Sequence, residues 1–280
     1  MGKRYLRVNK VALIFIGLFL LFPSFEVSPC TLFGAVGDRV EEGGVLIAKT
    51  RDMATDLEQV WIQMGPQEGY RYQGIASKGT KHVTSGVNEK GLVVVSAAAS
   101  GPKKGGKVTP VGKILSKASS VDEVIALVQD GEIQGPIYYL IGDFHKIALL
   151  EVIDGYQFGF LIQENGVLSH TNHFILKDME KMNRKVGRSS QTRLNRIEKL
   201  LSGGLLTKDR FIAITRDHFN GPGNNSICRH FEAGLPSSEG TVSATIYCLP
   251  KKGPPVIWIS LKKPCQSTFQ KNLSPLPPAR

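Results

Sequence analysis

The order in which strand-like and helix-like segments follow one another most constrains the fold of this chain. Short β-prone runs come first, beginning with a hairpin whose arms cover residues 31–36 and 45–49. A capped helical pattern starts at Ser120, three more strand-like runs follow, and two further helical patterns precede a closing hairpin. Strand groups separated by helix groups favour a layered α+β domain with antiparallel sheets over a parallel, doubly wound sheet.

The first 29 residues have the pattern of an export signal. Four cations precede an unbroken apolar run from Val11 to Phe22. This run of about 12 residues is shorter than the roughly 20 that a membrane-spanning helix needs, so an uncleaved anchor is the weaker alternative. We predict that residues 1–29 are a leader removed on maturation and that residues 30–280 form one domain. The mature protein is then periplasmic or extracellular, without stable membrane insertion.

Composition and spacing argue against several classes of function. The net charge is +11, but the cations are scattered along the chain, which disfavours a nucleic-acid-binding stripe. The sequence contains no Gly-rich phosphate loop and no clustered spacing of metal ligands, so we expect no cofactor and no metal. Four cysteines are too few for a disulfide-built scaffold, and at most one disulfide forms if Cys30 stays free. The other three are Cys228, Cys248 and Cys265.

Cys30 stands where the leader ends, at the start of the first predicted hairpin. The return arm ends near Lys49-Thr50-Arg51-Asp52, so an antiparallel pair places Asp52 beside Cys30. If the mature chain begins at Cys30, its α-amine, with an ordinary pKa of about 7.7–8.0, can accept the thiol proton. Asp52 would hold the resulting ammonium, and a nearby cation would favour the thiolate. The alternative is a disulfide-bonded cysteine beside a turn aspartate, and spacing alone leaves both open.

Four motifs, taken in order, resemble a known family: CTLFGAVGDRVEEGGVLIAKTRD from Cys30, GVNEKGLVVVSA from Gly86, SHTNHF from Ser169 and SSQTRLNR from Ser189. The same order occurs in the N-terminal-nucleophile hydrolases of linear amides, which include choloylglycine hydrolases, penicillin V acylases and the isopenicillin N acyltransferase group. HTNHF and the later NNSICRH are most similar to the acyltransferase group. The resemblance covers the chain from Cys30 to about Phe269. It implies a four-layer αββα sandwich and attack on a linear amide through an acyl-thioester on Cys30.

The resemblance also implies roles for residues around the nucleophile. Cys30 matches the nucleophile itself. The family's Arg-x-x-Asp pattern can be laid on KTRD, which gives Asp52 the aspartate role and puts Lys49 in place of the arginine. In the rival register Arg51 is the arginine, but position 54 is then Ala54, which has no carboxylate. We prefer the first register and keep Arg51 as a second candidate.

Further roles fall on the second half of the chain. Asn172 of HTNHF matches the asparagine that supports the oxyanion, a donor worth about 3 kcal/mol in comparable sites. Arg193 of TRLNR matches a late arginine near the nucleophile. Bile-salt hydrolases carry a second oxyanion asparagine after NEKGL, but Ala98 stands there in this chain, so a backbone N–H must substitute. His170 and His173 are predicted to line the substrate pocket or to orient the Asn172 loop.

The sequence therefore predicts an exported hydrolase that cleaves a linear, non-peptide amide through Cys30. Its predicted partner is a small-molecule amide and not a nucleic acid, and a homo-oligomer is left open. Two other functions stay open. One is an acyltransferase that passes the acyl group to an amine, and the other is a non-catalytic secreted binding protein on the same fold.

Overall fold

The computed structural model describes residues 29–65, 69–99, 107–232 and 239–272. The predicted leader covers residues 1–29, so apart from Pro29 it lies outside the described residues and its removal stays a prediction. Among the helices within these ranges, none is long and apolar enough to cross a membrane.

The described residues form thirteen strands and four α-helices. The strands are β1 (Cys30–Val36), β2 (Val45–Met53), β3 (Gln59–Met64), β4 (Tyr72–Ser77), β5 (Ser85–Asn88), β6 (Val93–Ala98), β7 (Ile137–Gly142), β8 (Ile147–Asp154), β9 (Gln157–Gln163), β10 (Gly166–His170), β11 (Gly240–Leu249), β12 (Val256–Ser260) and β13 (Gln270–Asn272). The helices are α1 (Val111–Lys117), α2 (Val121–Gln129), α3 (Arg188–Leu201) and α4 (Lys208–Thr215).

The strands assemble into two antiparallel sheets. The first sheet has the order β10-β1-β2-β11-β12-β13, and the second runs from β3 to β9 in sequence order. Their inner faces pack against each other through an apolar cluster that includes Leu32, Ile47, Val93 and Leu140. Helices α1 and α2 cover the outer face of the second sheet, and α3 and α4 cover that of the first. This arrangement confirms the predicted α+β fold of four layers, αββα.

Helix α3 presents one buried face to the first sheet. An apolar stripe at helical spacing packs against sheet residues such as Phe33. Its buried members are Leu194, Ile197 and Leu201. Ser190, one turn before Leu194, and Arg193, directly before it, lie on the same buried face. The apolar stripe therefore fixes the helix on the sheet, and the polar residues are carried with it to the strand that begins at Cys30.

The register of β1 with β2 decides which side chains meet Cys30. Cys30 pairs with Arg51, and Leu32 pairs with Lys49. Paired residues of an antiparallel ladder point to the same face, and Leu32 belongs to the cluster between the sheets, as does Cys30 itself. The thiol, Lys49 and Arg51 therefore share the inner face of the first sheet.

Asp52 lies on the other face of β2. The residue directly opposite Cys30 is Arg51 and not Asp52, so the prediction that Asp52 pairs beside Cys30 is off by one residue. Strand β2 continues through Thr50 to Met53, so its side chains keep alternating across this region. Because side chains alternate along a strand, Asp52 faces the helical layer, whereas both cations face the second sheet.

Candidate active site

Cys30 is buried at the start of β1, with only 3% of the residue exposed. On its face of the sheet, the Lys49 ammonium donates to the backbone oxygen of Thr84 at 3.0 Å. The Arg51 guanidinium donates to the Ser77 hydroxyl at 3.1 Å and also to the side chain of Gln59. The structure thus places both cations that the sequence offered as alternatives on the thiol's side of the sheet.

Burial changes the protonation behaviour of these cations. It lowers the pKa of Lys49 to about 8, and the positive charge of Arg51 acts in the same direction, while Cys30 and Asp52 oppose the change. Burial also lowers the pKa of Arg51. A lysine with a pKa near 8 changes charge close to physiological pH, which an arginine at the same position would not do.

Asp52 is completely buried and is held by two partners. The Thr241 hydroxyl donates to its Oδ1 at 2.6 Å, and Arg229 Nη1 lies 3.5 Å from its Oδ2. Burial raises the pKa of Asp52, and the charges of Arg229 and Arg193 counteract that rise. Arg229 also forms an ion pair with Glu239 at 2.8 Å. Asp52 therefore belongs to a network of buried charges on the helix side of the first sheet.

Arg193 connects α3 to the nucleophile strand. Its Nη1 donates to the carbonyl oxygen of Cys30 at 2.9 Å and to the Thr31 hydroxyl at 2.8 Å. Its Nη2 donates to Asn172 Oδ1 at 2.8 Å, and its Nε donates to the Ser189 hydroxyl at 3.3 Å. The planar guanidinium therefore fixes the main chain at Cys30 and the side chain of Asn172 relative to each other.

Asn172 is oriented by contacts at both ends of its amide. Oδ1 accepts from Arg193, so Nδ2 points the other way and donates to the carbonyl oxygen of Ala98 at 2.8 Å. The backbone N–H of Asn172 donates to the Ser190 hydroxyl at 2.9 Å. An amide nitrogen carries two hydrogens, so the bond to Ala98 leaves a second N–H for an oxyanion. Ala98 cannot supply the side-chain donor that bile-salt hydrolases have there, and its observed contact to Asn172 is made through its carbonyl oxygen, which accepts.

His170 is tied to a buried carboxylate. Its Nε2 lies 2.8 Å from Glu151 Oε1, and its Nδ1 lies 3.0 Å from the backbone oxygen of Thr171. Glu151 also accepts from the backbone N–H of Ile175 at 2.6 Å. Neither His170 nor Glu151 exposes its side chain. These bonds fix both ends of the loop that carries Asn172.

His173 supports the same loop from the side of α3. Its Nδ1 lies 2.8 Å from the Ser190 hydroxyl. Burial, with the nearby His170 and Arg193, lowers the pKa of His173 to about 4, so the ring is neutral at physiological pH. Of the two roles predicted for His170 and His173, this geometry favours orientation of the Asn172 loop over direct contact with a substrate.

Several residues of this arrangement carried no role in the sequence analysis. The sequence did mark Glu151, because it is the single charge within the apolar run IALLEVI of β8. Arg229 lies within NNSICRH, but nothing in that motif points to Asp52. Nothing in the sequence around Thr241 indicates a role at this site. His82 lies close enough to Lys49 and Arg51 that their charges, together with burial, lower its pKa.

Comparison with known proteins supports this fold and family. Residues 39–264 match the family model described as acyl-coenzyme A:6-aminopenicillanic acid acyl-transferase. No curated protein matches the chain. The N-acylethanolamine-hydrolyzing acid amidase ortholog of Caenorhabditis elegans has a similar fold, with a TM-score of 0.52 and 12% identity over 80% of this chain and 94% of that one. A variant of conjugated bile acid hydrolase from Clostridium perfringens gives a TM-score of 0.49 and 15% identity over 86% and 91%.

The family match spans most of the chain and confirms the resemblance drawn from its motifs. The matched family is described as an acyl-transferase family, which lies within the predicted class of enzyme, a hydrolase of linear amides or an acyltransferase. The chain belongs to the acyl-coenzyme A:6-aminopenicillanic acid acyl-transferase family, within the N-terminal-nucleophile hydrolases.

Proposed function

We propose that this chain is an exported hydrolase of linear amides whose nucleophile is the thiol of Cys30, placed at the N-terminus of the mature protein. One observation carries the proposal. Lys49 and Arg51 share the face of the Cys30 side chain, while Arg193 binds both the Cys30 carbonyl and Asn172. A thiol among cations, next to a fixed amide donor, suits nucleophilic attack on a carbonyl group.

Activation requires cleavage of the Pro29–Cys30 bond. While that bond is intact, the nitrogen of Cys30 is an amide and cannot serve as a base. In the register of β1 with β2, Asp52 is opposite the position before Cys30, so a free ammonium at Cys30 would lie toward a buried carboxylate. Cleavage thus creates the α-amine that acts as the base and leaves it near the Asp52 carboxylate that would hold it. Pro29 fits a signal-peptidase site poorly, which favours a separate processing step.

The proposed reaction runs through an acyl-enzyme. The α-amine of Cys30 takes the thiol proton, the sulfur attacks the carbonyl carbon, and a C–S bond forms. The second N–H of Asn172 stabilises the oxyanion. The α-ammonium then passes its proton to the amide nitrogen, the C–N bond breaks and the amine leaves. Water next gives a proton to the α-amine and attacks the thioester, the C–S bond breaks to release the acid, and the α-ammonium returns the proton to the sulfur, which restores the thiol.

The family name favours a second outcome for the same intermediate. An acyl-coenzyme A is a thioester, and attack of the Cys30 sulfur on its carbonyl gives the same acyl-cysteine as attack on an amide. If an amine such as 6-aminopenicillanic acid then replaces water, the product is a new amide. Hydrolase and acyltransferase therefore differ only in the group that takes the acyl chain from Cys30.

The test starts from the mature protein as the cell makes it. Intact-mass analysis is expected to give a chain that begins at Cys30. Incubation with a panel of N-acyl amides and acyl-coenzyme A thioesters is expected to add one acyl mass to Cys30, and added 6-aminopenicillanic acid separates transfer from hydrolysis. Cys30→Ala should form no thioester, while Cys248→Ala, the matched control, should react normally. Active protein that retains Pro29 would overturn the proposal, and a mature protein that no donor acylates would favour the binding-protein alternative.

A further inference from the structure

Four side chains converge at a place that the proposed reaction does not use. They come from three segments: His218 follows α4, Cys228 and His230 precede β11, and Cys265 lies in a short 3-10 helix after β12. All four potential ligand atoms lie within 4.8 Å of one another. His230 Nε2 is 3.0 Å from His218 Nε2 and 3.3 Å from Cys265 Sγ.

The composition and the geometry of this cluster both fit a metal ion. Two imidazoles and two thiols are the ligand set of many tetrahedral zinc sites, and zinc binds nitrogen at about 2.0–2.1 Å and sulfur at about 2.3 Å. A tetrahedron with those bond lengths has ligand atoms about 3.3–3.8 Å apart. The two shortest separations, 3.0 and 3.3 Å, lie at or just below that range, and none exceeds 4.8 Å, so shifts of about 1 Å bring the four atoms to the corners of such a tetrahedron.

We propose that His218, Cys228, His230 and Cys265 bind one zinc ion. Four protein ligands fill a tetrahedral shell and leave no position for a substrate, so the site is structural. Cys228 is buried and the other three ligands are partly exposed, which gives the ion a route of entry from solvent. Soft thiolates with imidazoles select zinc over calcium or magnesium, which prefer oxygen ligands.

The position of Arg229 links this zinc site to the proposed function. This link rests on the proposed function, whereas zinc binding itself does not. Arg229 is the single residue between Cys228 and His230, and its guanidinium faces Asp52. Its backbone N–H donates to the Thr241 hydroxyl at 2.8 Å, the same hydroxyl that donates to Asp52. With both of its sequence neighbours bound to one ion, Arg229 would be held against Asp52 and hence near the amine of Cys30.

A disulfide is the competing use of the two thiols. Cys228 and Cys265 are not disulfide-bonded in the structure, yet an oxidising compartment permits such a bond. The two histidines favour the zinc site over a disulfide. A disulfide needs no imidazole, whereas His230 Nε2 lies within contact distance of both His218 Nε2 and Cys265 Sγ. Two imidazole nitrogens within 4.8 Å of two sulfurs are what a metal site requires and what a disulfide does not explain.

The first measurement is metal content of the mature, full-length protein by mass spectrometry of the elements. We expect about one zinc per chain. His218→Gln and Cys265→Ser should each lose most of it, whereas Cys248→Ser, a cysteine outside the cluster, should keep it. Cys30→Ser should also keep its zinc, so this result stands whether or not the proposed amide chemistry is correct.

The second measurement uses the wild-type protein, so a ligand variant that fails to fold does not affect it. Zinc is removed from the wild-type protein with a chelator, and cobalt(II) is added back. We expect the tetrahedral cobalt bands together with thiolate-to-cobalt charge transfer, and a lower melting temperature for the metal-free form. Purified protein without zinc whose peptide map contains a Cys228–Cys265 disulfide overturns the proposal, and so does zinc that stays bound in both ligand variants.

Discussion

Arg193 Nη2 donates to Asn172 Oδ1 at 2.8 Å, and this bond determines which way the amide of Asn172 points. A guanidinium can only donate, so the oxygen of the amide must face Arg193 and the nitrogen must face the Ala98 carbonyl. An arginine on α3 thus fixes the orientation of Asn172, the proposed oxyanion donor on the loop after β10.

Asn172→Ala is expected to lower kcat by roughly a hundredfold to a thousandfold with little change in KM, because the lost donor acts on the transition state. Asn172→Asp should be at least as harmful, since it removes the N–H and keeps the oxygen that binds Arg193. Steady-state kinetics on the mature enzyme measures both. Asn195→Ala, on the exposed side of α3, is the control, and equal kinetics for Asn172→Ala and this control would remove Asn172 from the mechanism.

Arg193→Lys tests whether the several simultaneous hydrogen bonds of the guanidinium are needed, or only its positive charge. A lysine keeps a cation but cannot reach Cys30 O, Thr31 and Asn172 together, so we expect a loss of about 2–3 kcal/mol of stability. For a domain of this size that corresponds to a fall in Tm of roughly 5–10 °C, accompanied by a lower kcat. Arg188→Lys, exposed on the same helix, should change neither. A Tm and kcat that both match wild type in Arg193→Lys would mean that charge alone suffices.

Asp52→Asn removes the charge proposed to hold the ammonium of Cys30. A charge-assisted contact is worth roughly 1.5–3 kcal/mol, so kcat/KM should fall on the order of tenfold to a hundredfold. Asp56→Asn, an exposed neighbour, is the matched control. If Asp52→Asn keeps full activity while Arg51→Met is inactive, the rival register is correct and Arg51 carries the cationic role.

The layered fold was predictable because its signals are local. Hydrophobic spacing and turn residues in the sequence indicated the strand groups of both sheets and helix α3. Helix α1 and strand β10 were not predicted. Both are short, and β10 offers only Val167 and Leu168 as apolar residues, which is too little to establish a period.

The site was predictable only where residues lie close in the chain or match a motif. Motif matching placed Asn172 and Arg193, which the structure brings to Cys30 across a long stretch of sequence. The partner of Asp52 was missed because Arg229 is 177 positions away and reaches it only through packing. The group of His218, Cys228, His230 and Cys265 was missed for the same reason, since its members come from three segments and show no clustered spacing.

The register of the first hairpin was missed for a different, local reason. Its turn contains a 3-10 helix at Gly37–Arg39 and a left-handed Glu42, with φ of 63°. The number of residues in such a turn cannot be read from composition alone. An error of one residue in the register of the two strands moves every side chain to the other face of the sheet. That is why Asp52 was expected opposite Cys30, where Arg51 is found.

Lys49→Met is expected to stabilise the protein at neutral pH while it impairs the reaction. Burial lowers the pKa of Lys49 from 10.5 to about 8, so below pH 8 the folded protein holds a buried charge that the unfolded chain hydrates freely. That difference corresponds to about 3 kcal/mol, and methionine avoids it with a side chain of similar length. Loss of the cation on the face of the Cys30 thiol should at the same time lower kcat/KM.

The sign of the pH dependence separates this explanation from a simple packing effect. Between pH 8 and 10.5 the folded protein releases the Lys49 proton before the unfolded chain does, so the wild type gains stability as the pH rises. The advantage of Lys49→Met in denaturant unfolding should therefore be greatest at pH 7 and should disappear near pH 10.5. Lys113→Met, an exposed lysine on α1, should show no such trend. An advantage that is the same at pH 7 and pH 10 would mean that Lys49 is not held as a buried charge, and its role beside Cys30 would need a different explanation.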